Sequence, residues 1–497
     1  MKLYTPNTGD YNLVMAYPSK EEFALSSLGY LWLYKIADTF DGINVLGVST
    51  DKNNINKSDT DAAAFSISYD FDFMGVLSIL KNADIPFTAK ERTEEEPIIF
   101  AGGPVITTNP LPYQDFFDFM IMGDGEETFP KVLECLCQKY SKKETIEKLS
   151  EIEGIYIPNK TAKIAHSELK EVIYTPILSE NSYFKNTFII EIARGCMNRC
   201  AFCTASYLNW PYRYYDYDKI IQTIDFGLNY TDKIALLGAQ VSSHPRFYDI
   251  LNFINNIMDN GRTIELGISS LRVDAISPML VKTLVKGGQK NSTIAIEAAS
   301  ERLRRFINKN ITEEQILNAI QVSKENGLKG LKIYSMIGIP TETDDDINEF
   351  IRLAKTIKTQ NKGFNLEFSF SSFVPKPQTP FQFQRREDTK SIENKQNYLR
   401  KNLAKIGIPS KFSSAKWDYW QTVLSRGDET LNPMLTEVFN NGGNLSSYKK
   451  ASLKYNIDLD KFINETDYLN NKLYKNISSN ISKDNLINEY KRLAKKV

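Results

Sequence analysis

Cysteine and histidine are scarce in this chain, five and two among 497 residues. Three of the five cysteines are clustered rather than scattered, which excludes a disulfide framework and suits a reducing compartment. His166 and His244 are the only imidazoles available as metal ligands. No run approaches the roughly 20 apolar residues that cross a bilayer, so a helical membrane span is excluded. Met1-Lys2-Leu3-Tyr4-Thr5-Pro6 lacks the charged-then-apolar order of a secretory leader, and the expected location is cytoplasmic. Neither sign of charge is in excess: Lys+Arg and Asp+Glu both number 61, leaving no net field for nucleic acid or an anionic membrane.

What is present reads as α/β. Residues 1–150 alternate short apolar strands, around 64–68, 97–101 and 119–122, with longer mixed segments of helical length. That spacing predicts a Rossmann-like, doubly wound domain. Its glycine pairs, Gly102-Gly103 and Gly123-Asp124-Gly125, fall just past strand ends, where open α/β sheets hold ligands. Alternation in 155–160 predicts a hairpin linker over 151–184. A second series follows, with six strands beginning near Phe188, Lys233, Ile264, Thr293, Leu331 and Leu366 and helices between them. Over 185–388 this predicts a partial (β/α)6 barrel. From Thr389 the strand pattern stops, and 389–497 is expected to be a helical C-terminal region whose Asn/Lys-rich tail is solvated.

The chemistry is concentrated in Arg194-Gly195-Cys196-Met197-Asn198-Arg199-Cys200-Ala201-Phe202-Cys203, which follows the first barrel strand. Three thiolates are one short of the four that close a structural zinc site or an ordinary iron–sulfur centre. A cluster held by three leaves one iron open to a small molecule. Gly195 permits the tight turn that brings the sulfurs together. The competing reading is a zinc knuckle with a fourth ligand from His166, His244, Cys135 or Cys137. Zinc sites usually present paired CxxC units, and Cys135 and Cys137, at i and i+2 on an expected helix, face different sides as structural cysteines do.

CxxxCxxC with an aromatic before the third cysteine resembles the signature of the radical S-adenosylmethionine (SAM) superfamily. The resemblance implies a 4Fe–4S cluster on Cys196, Cys200 and Cys203, with SAM on the open iron and Phe202 beside it. It also implies an external electron donor such as flavodoxin or ferredoxin. On the same resemblance, loops after later strands hold SAM: Gln240 its amino group, Arg272, with Ser270 in the same loop, its carboxylate, Glu297 its ribose, and Gly338 its adenine. The segments Phe100-Ala101-Gly102-Gly103-Pro104, Gly123-Asp124-Gly125-Glu126 and Phe373-Val374-Pro375-Lys376-Pro377 narrow the likeness. They resemble an uncharacterised group of radical SAM proteins with an N-terminal cobalamin-binding-type domain. Cobalamin is therefore weighed as a second cofactor, above the strand ends near Gly102, Gly103 and Gly123 to Gly125. The DxHxxG motif that ligates cobalt is missing, and a domain that keeps the fold without the ligand is the equal alternative.

The expected function is reductive cleavage of SAM to a 5′-deoxyadenosyl radical acting on an unknown substrate, with methyl transfer if cobalamin binds. The rivals are a tRNA or ribosomal-protein methylthiotransferase and a non-enzymatic iron–sulfur sensor. Methylthiotransferases carry a second cluster on three N-terminal cysteines, whereas the first cysteine here is Cys135.

Overall fold

The N-terminal strands, the edge strand Ile43–Ser49 excepted, are apolar runs buried on both faces, as parallel strands between helices must be. They are β1 (Tyr11–Tyr17), β2 (Ile43–Ser49), β3 (Ala62–Ser66), β4 (Ile98–Gly102), β5 (Phe119–Ile121) and β6 (Ile155–Tyr156). Their order is β2-β1-β3-β4-β5-β6, parallel except for β6. This is a doubly wound sheet, with helices Leu28–Asp38 and Thr128–Leu136 on one face and Phe73–Asn82 on the other. The computed structural model describes residues 1–268, 271–465 and 473–495.

The segment expected as a hairpin linker divides instead. β6 completes the N-terminal sheet, β7 (Ala162–Lys163) pairs with residues 477–478 of the tail, and Tyr174 bridges to Ile190 of the barrel.

The second sheet system comprises β8 (Phe188–Glu191), β9 (Ala193–Arg194), β10 (Arg213–Tyr214), β11 (Lys233–Leu237), β12 (Glu265–Ile268), β13 (Asn291–Glu297), β14 (Gly330–Ile337), β15 (Asn365–Ser372) and β16 (Ser410–Phe412). β8, β11 and β12 form one parallel ladder and β13 to β16 another, joined by a bridge between Leu271 and Ile294. Among the described residues no ladder returns from β16 to β8, so the barrel is partial. β16 lies where helices alone were expected; Phe412 stacks on Phe370 of β15 at 5.0 Å, and that pairing outweighs the polar sequence around it.

Side chains on these strands alternate. Ile294, Ile296, Ile333 and Phe368 are buried against the helices, while Thr293, Ala295, Tyr334 and Ser369 between them face the lumen. Tyr334, in mid-strand, is 38% exposed and Leu237 36%, so the lumen is not filled by side chains. Its lower end opens into a cavity of about 990 Å³ lined by Asn291, Lys332, Asn365 and Lys411.

The C-terminal helices return to the front of the molecule. Val423, Leu435 and Tyr448 join Phe65 and Val76 in the N-terminal core. The tail expected to be solvated is not: β17 (Ile477–Ser478) pairs with β7, and helix Lys483–Ala494 buries Leu486 beside Tyr207 and Leu493 beside Ala201. Its Leu and Ile residues at helical spacing form the buried stripe, and its Asn and Lys residues face outward.

Candidate iron–sulfur and SAM site

The cysteine segment is a loop, 195–212, closed at its neck by the antiparallel pairing of Arg194 with Arg213 and Ala193 with Tyr214. Gly195 has φ +82°, and a Cβ there would lie 2.5 Å from the Asn209 carbonyl oxygen, so only glycine fits where the two arms touch. Inside the loop the Cys203 amide donates to the Cys200 carbonyl at 3.0 Å, and the Tyr207 hydroxyl donates to the Arg199 carbonyl at 2.9 Å. The Arg199 guanidinium lies 5.0 Å from the Trp210 ring. From outside, Ala201 donates to the Ile307 carbonyl at 2.9 Å, and the Asn308 amide donates to the carbonyls of Asn198 and Arg199 at 3.3 and 3.0 Å.

All three thiols are free. Burial pushes the Cys200 thiol up to about 12, against the pull of Lys309 and Arg272. Burial also raises Cys203, whose remaining neighbours include Cys196. Thiols this desolvated stay protonated unless positive charge arrives at their sulfurs, and the irons of a cluster supply such charge. Three free thiols on one loop are the soft donor set that an iron–sulfur cluster takes. Among the described residues, no three His, Cys, Asp or Glu side chains converge on a single ion. His244 is held between backbone groups, its Nε2 2.9 Å from the Tyr215 carbonyl and its Nδ1 accepting from the Arg246 amide at 3.1 Å.

Several residues named for SAM lie around these sulfurs. The Gln240 side-chain oxygen is 3.5 Å from Cys196 Sγ and also takes a hydrogen bond from the Asn198 amide. Arg272 and Glu297 both act on the charge of Cys200. Arg272 is paired with Asp274 at 2.8 Å. Glu297 closes β13 at φ +64°, beyond an irregular register, and pairs with Lys309 at 2.8 Å. Phe202 packs with Ala298, Met336 and Ile339, at the ends of β13 and β14. Ser270 lies outside the described residues.

Three other named glycines have other neighbours. Gly338 donates to Glu342 Oε2 at 2.8 Å and faces Glu387 and, in helix Thr389–Lys405, Ile392. Gly102 and Gly103 close β4 in the N-terminal sheet, where a Cβ on Gly103 would lie 2.6 Å from the Ile67 carbonyl oxygen. Lys309, Asn308 and Asn198 were not foreseen. Asn308-Lys309-Asn310 reads as an unremarkable polar turn, and only the fold brings it to the thiols.

The two halves meet across this loop. Arg194 is bound by Asp124 at 2.9 Å, Glu126 at 2.7 Å and Glu191 at 2.7 Å, and Arg213 by Asp124 at 2.7 Å. On the far side, Lys376, in the loop after β15, binds Asp70, in the loop after β3, at 2.7 Å.

Residues 42–158 match the family model described as radical SAM proteins, N-terminal, and residues 190–354 match that of the radical SAM superfamily. An uncharacterized protein of Methanocaldococcus jannaschii is 31% identical over 91% of this chain and 96% of its own. An uncharacterized methyltransferase of Pyrococcus horikoshii is 24% identical over 62% of this chain and 69% of its own. Among solved structures, the cobalamin-dependent S-adenosylmethionine radical enzyme OxsB, with aqua-cobalamin and S-adenosylmethionine bound, superposes over 99% of this chain and 79% of that one. Its TM-score is 0.55 at 13% identity, a likeness of fold.

Proposed function

The chain belongs to the radical SAM superfamily, and on that footing we propose that it cleaves S-adenosylmethionine reductively and passes the radical to a substrate in the barrel lumen. The observation that carries this reading is the crowding of three free thiols, Gln240, Arg272, Glu297 and Lys309 around one loop at the barrel mouth. Cys196, Cys200 and Cys203 hold a 4Fe–4S cluster. Gln240 accepts a hydrogen bond from the SAM amino group, Arg272 offers a planar fork to its carboxylate, and Glu297 accepts from its ribose hydroxyls. Phe202 shields the mouth from water. When bound, a cluster on these thiols would supply one electron, drawn from an external donor such as flavodoxin or ferredoxin, for reductive cleavage of SAM to methionine and a 5′-deoxyadenosyl radical that would take a hydrogen atom from the substrate.

Cobalamin-dependent methyl transfer is a second reading, favoured by one observation. The ends of β3 and β5 carry loops that meet the barrel mouth, so a group bound there would face the SAM site. The residues now at those ends set its limits. Gly103 and Gly123 are closed by the backbone of Ile67 and Ala165, and there is no DxHxxG histidine for cobalt. A corrin would lie beside these glycines rather than upon them, without a cobalt ligand from that motif.

Anaerobic reconstitution followed by SAM and dithionite tests both readings in one sample. 5′-Deoxyadenosine without a corrinoid absorption band supports the first. A corrinoid band together with S-adenosylhomocysteine supports the second. Full loading with iron and sulfide but no 5′-deoxyadenosine overturns the proposal.

A further inference from the structure

Gly123-Asp124-Gly125-Glu126 stands at the end of β5, where a doubly wound sheet usually offers glycines to a ligand. Here it is bound to protein. A Cβ on Gly123 would lie 2.1 Å from the Ala165 carbonyl oxygen, and one on Gly125 3.0 Å from the Leu33 side chain. The two carboxylates reach across to the barrel. Asp124 Oδ1 lies 2.9 Å from Arg194 and Oδ2 2.7 Å from Arg213, while Oδ2 also accepts the Ser167 amide at 3.0 Å. Glu126 adds a 2.7 Å contact to Arg194.

Arg194 and Arg213 face each other in the ladder that closes the cysteine loop. That ladder is two residue pairs long, too short to hold a loop of this length unaided. One buried carboxylate, 8% exposed, bonds to both arms of the neck. Arg194 is followed by Gly195 and then Cys196, so a rotation at the neck passes directly to the first sulfur. We infer that Asp124 is a positioning residue for the iron–sulfur cluster, and that the N-terminal domain uses its acidic strand-end loop to set the cysteine loop rather than to bind a ligand. The inference rests on the radical SAM reading above. It assigns to this motif the kind of outer support that holds metal ligands in place, the loss of which generally costs 10–100-fold in metal retention or activity.

The test uses the full-length chain with Asp124→Asn, which keeps shape and removes charge, and Asp124→Glu, which keeps charge. In the apo protein, trypsin should cut at Arg194, Arg199 or Arg213 about 10-fold faster in Asp124→Asn than in wild type. In reconstituted protein, iron loss to a chelator should accelerate by a similar factor. The reduced cluster should show an altered electron paramagnetic resonance signal with SAM. Its midpoint potential should be less negative, because one negative charge is removed, leaving Arg213 without its carboxylate and Arg194 with Glu126 and Glu191 alone. Asp124→Glu should return the potential toward wild type. If Asp124→Asn does not fold, Arg213→Lys loosens the same neck while keeping the charge and takes its place in the proteolysis and chelator arms. Wild-type proteolysis, iron retention and signal in the variant overturn the inference. A wild-type protein that takes up no cluster overturns the functional reading instead, while the proteolysis arm still reports on the neck.

Discussion

The molecule contains two parallel strand systems whose carboxyl ends confront each other, and they treat those ends in opposite ways. In the N-terminal sheet the glycines after β4 and β5 are closed by the chain itself, and carboxylates after β3 and β5 are committed to Lys376, Arg194 and Arg213. In the barrel the end of β8 carries three free thiols, and β13 ends in the left-handed Glu297. Tyr334 and Leu237 remain exposed inside the barrel. A strand's carboxyl end marks where a site can be built; whether one exists depends on what its glycines and polar atoms already touch.

The largest expected effect lies on the barrel side. Cys200→Ser should abolish cluster assembly and with it all 5′-deoxyadenosine, measured by iron content and product assay, because a hydroxyl does not replace a thiolate on iron. Gly123→Ala tests the N-terminal side. At φ +97° with no room for a Cβ, it should lower unfolding stability by about 3 kcal/mol in denaturant titrations. An unchanged midpoint with lost corrinoid binding would show that this end is a ligand site after all. Lys309→Met removes the cation paired with Glu297 and should raise KM for SAM about 10-fold while leaving kcat nearly unchanged.

A last effect concerns a barrel end that resembles the N-terminal kind. Burial raises the Glu342 carboxyl to about 7, although Lys395 lies 2.8 Å away and the Gly338 amide donates to it. A carboxyl raised on folding contributes stability in full below its unfolded value, near 4.5, and loses that contribution as pH climbs through about 7. Between those limits wild type should lose about 3 kcal/mol relative to Glu342→Gln, read from thermal unfolding at stepped pH.

Legibility in the sequence followed the range of the forces involved. The thiol spacing, the alternation in β13 to β15 and the apolar N-terminal strands are local patterns, and they announced the cluster loop, the barrel and the doubly wound sheet. Pairing partners were not local. Nothing between residues 120 and 220 says that Asp124 answers both Arg194 and Arg213, and Asn308 is silent about Asn198. The strand at Ser410–Phe412 was missed because three residues show no period; its partner Phe370 makes it a strand. The tail was misread for a related reason: composition registers Asn and Lys, whereas burial depends on the spacing of Leu486, Ile487 and Leu493.

That tail also ties the loop to a distant part of the chain. Helix Lys483–Ala494 packs Leu493 with Ala201 and Leu486 with Tyr207, so the back of the cysteine loop is completed only by contacts of long sequence separation, which carry the larger loop-closure entropy.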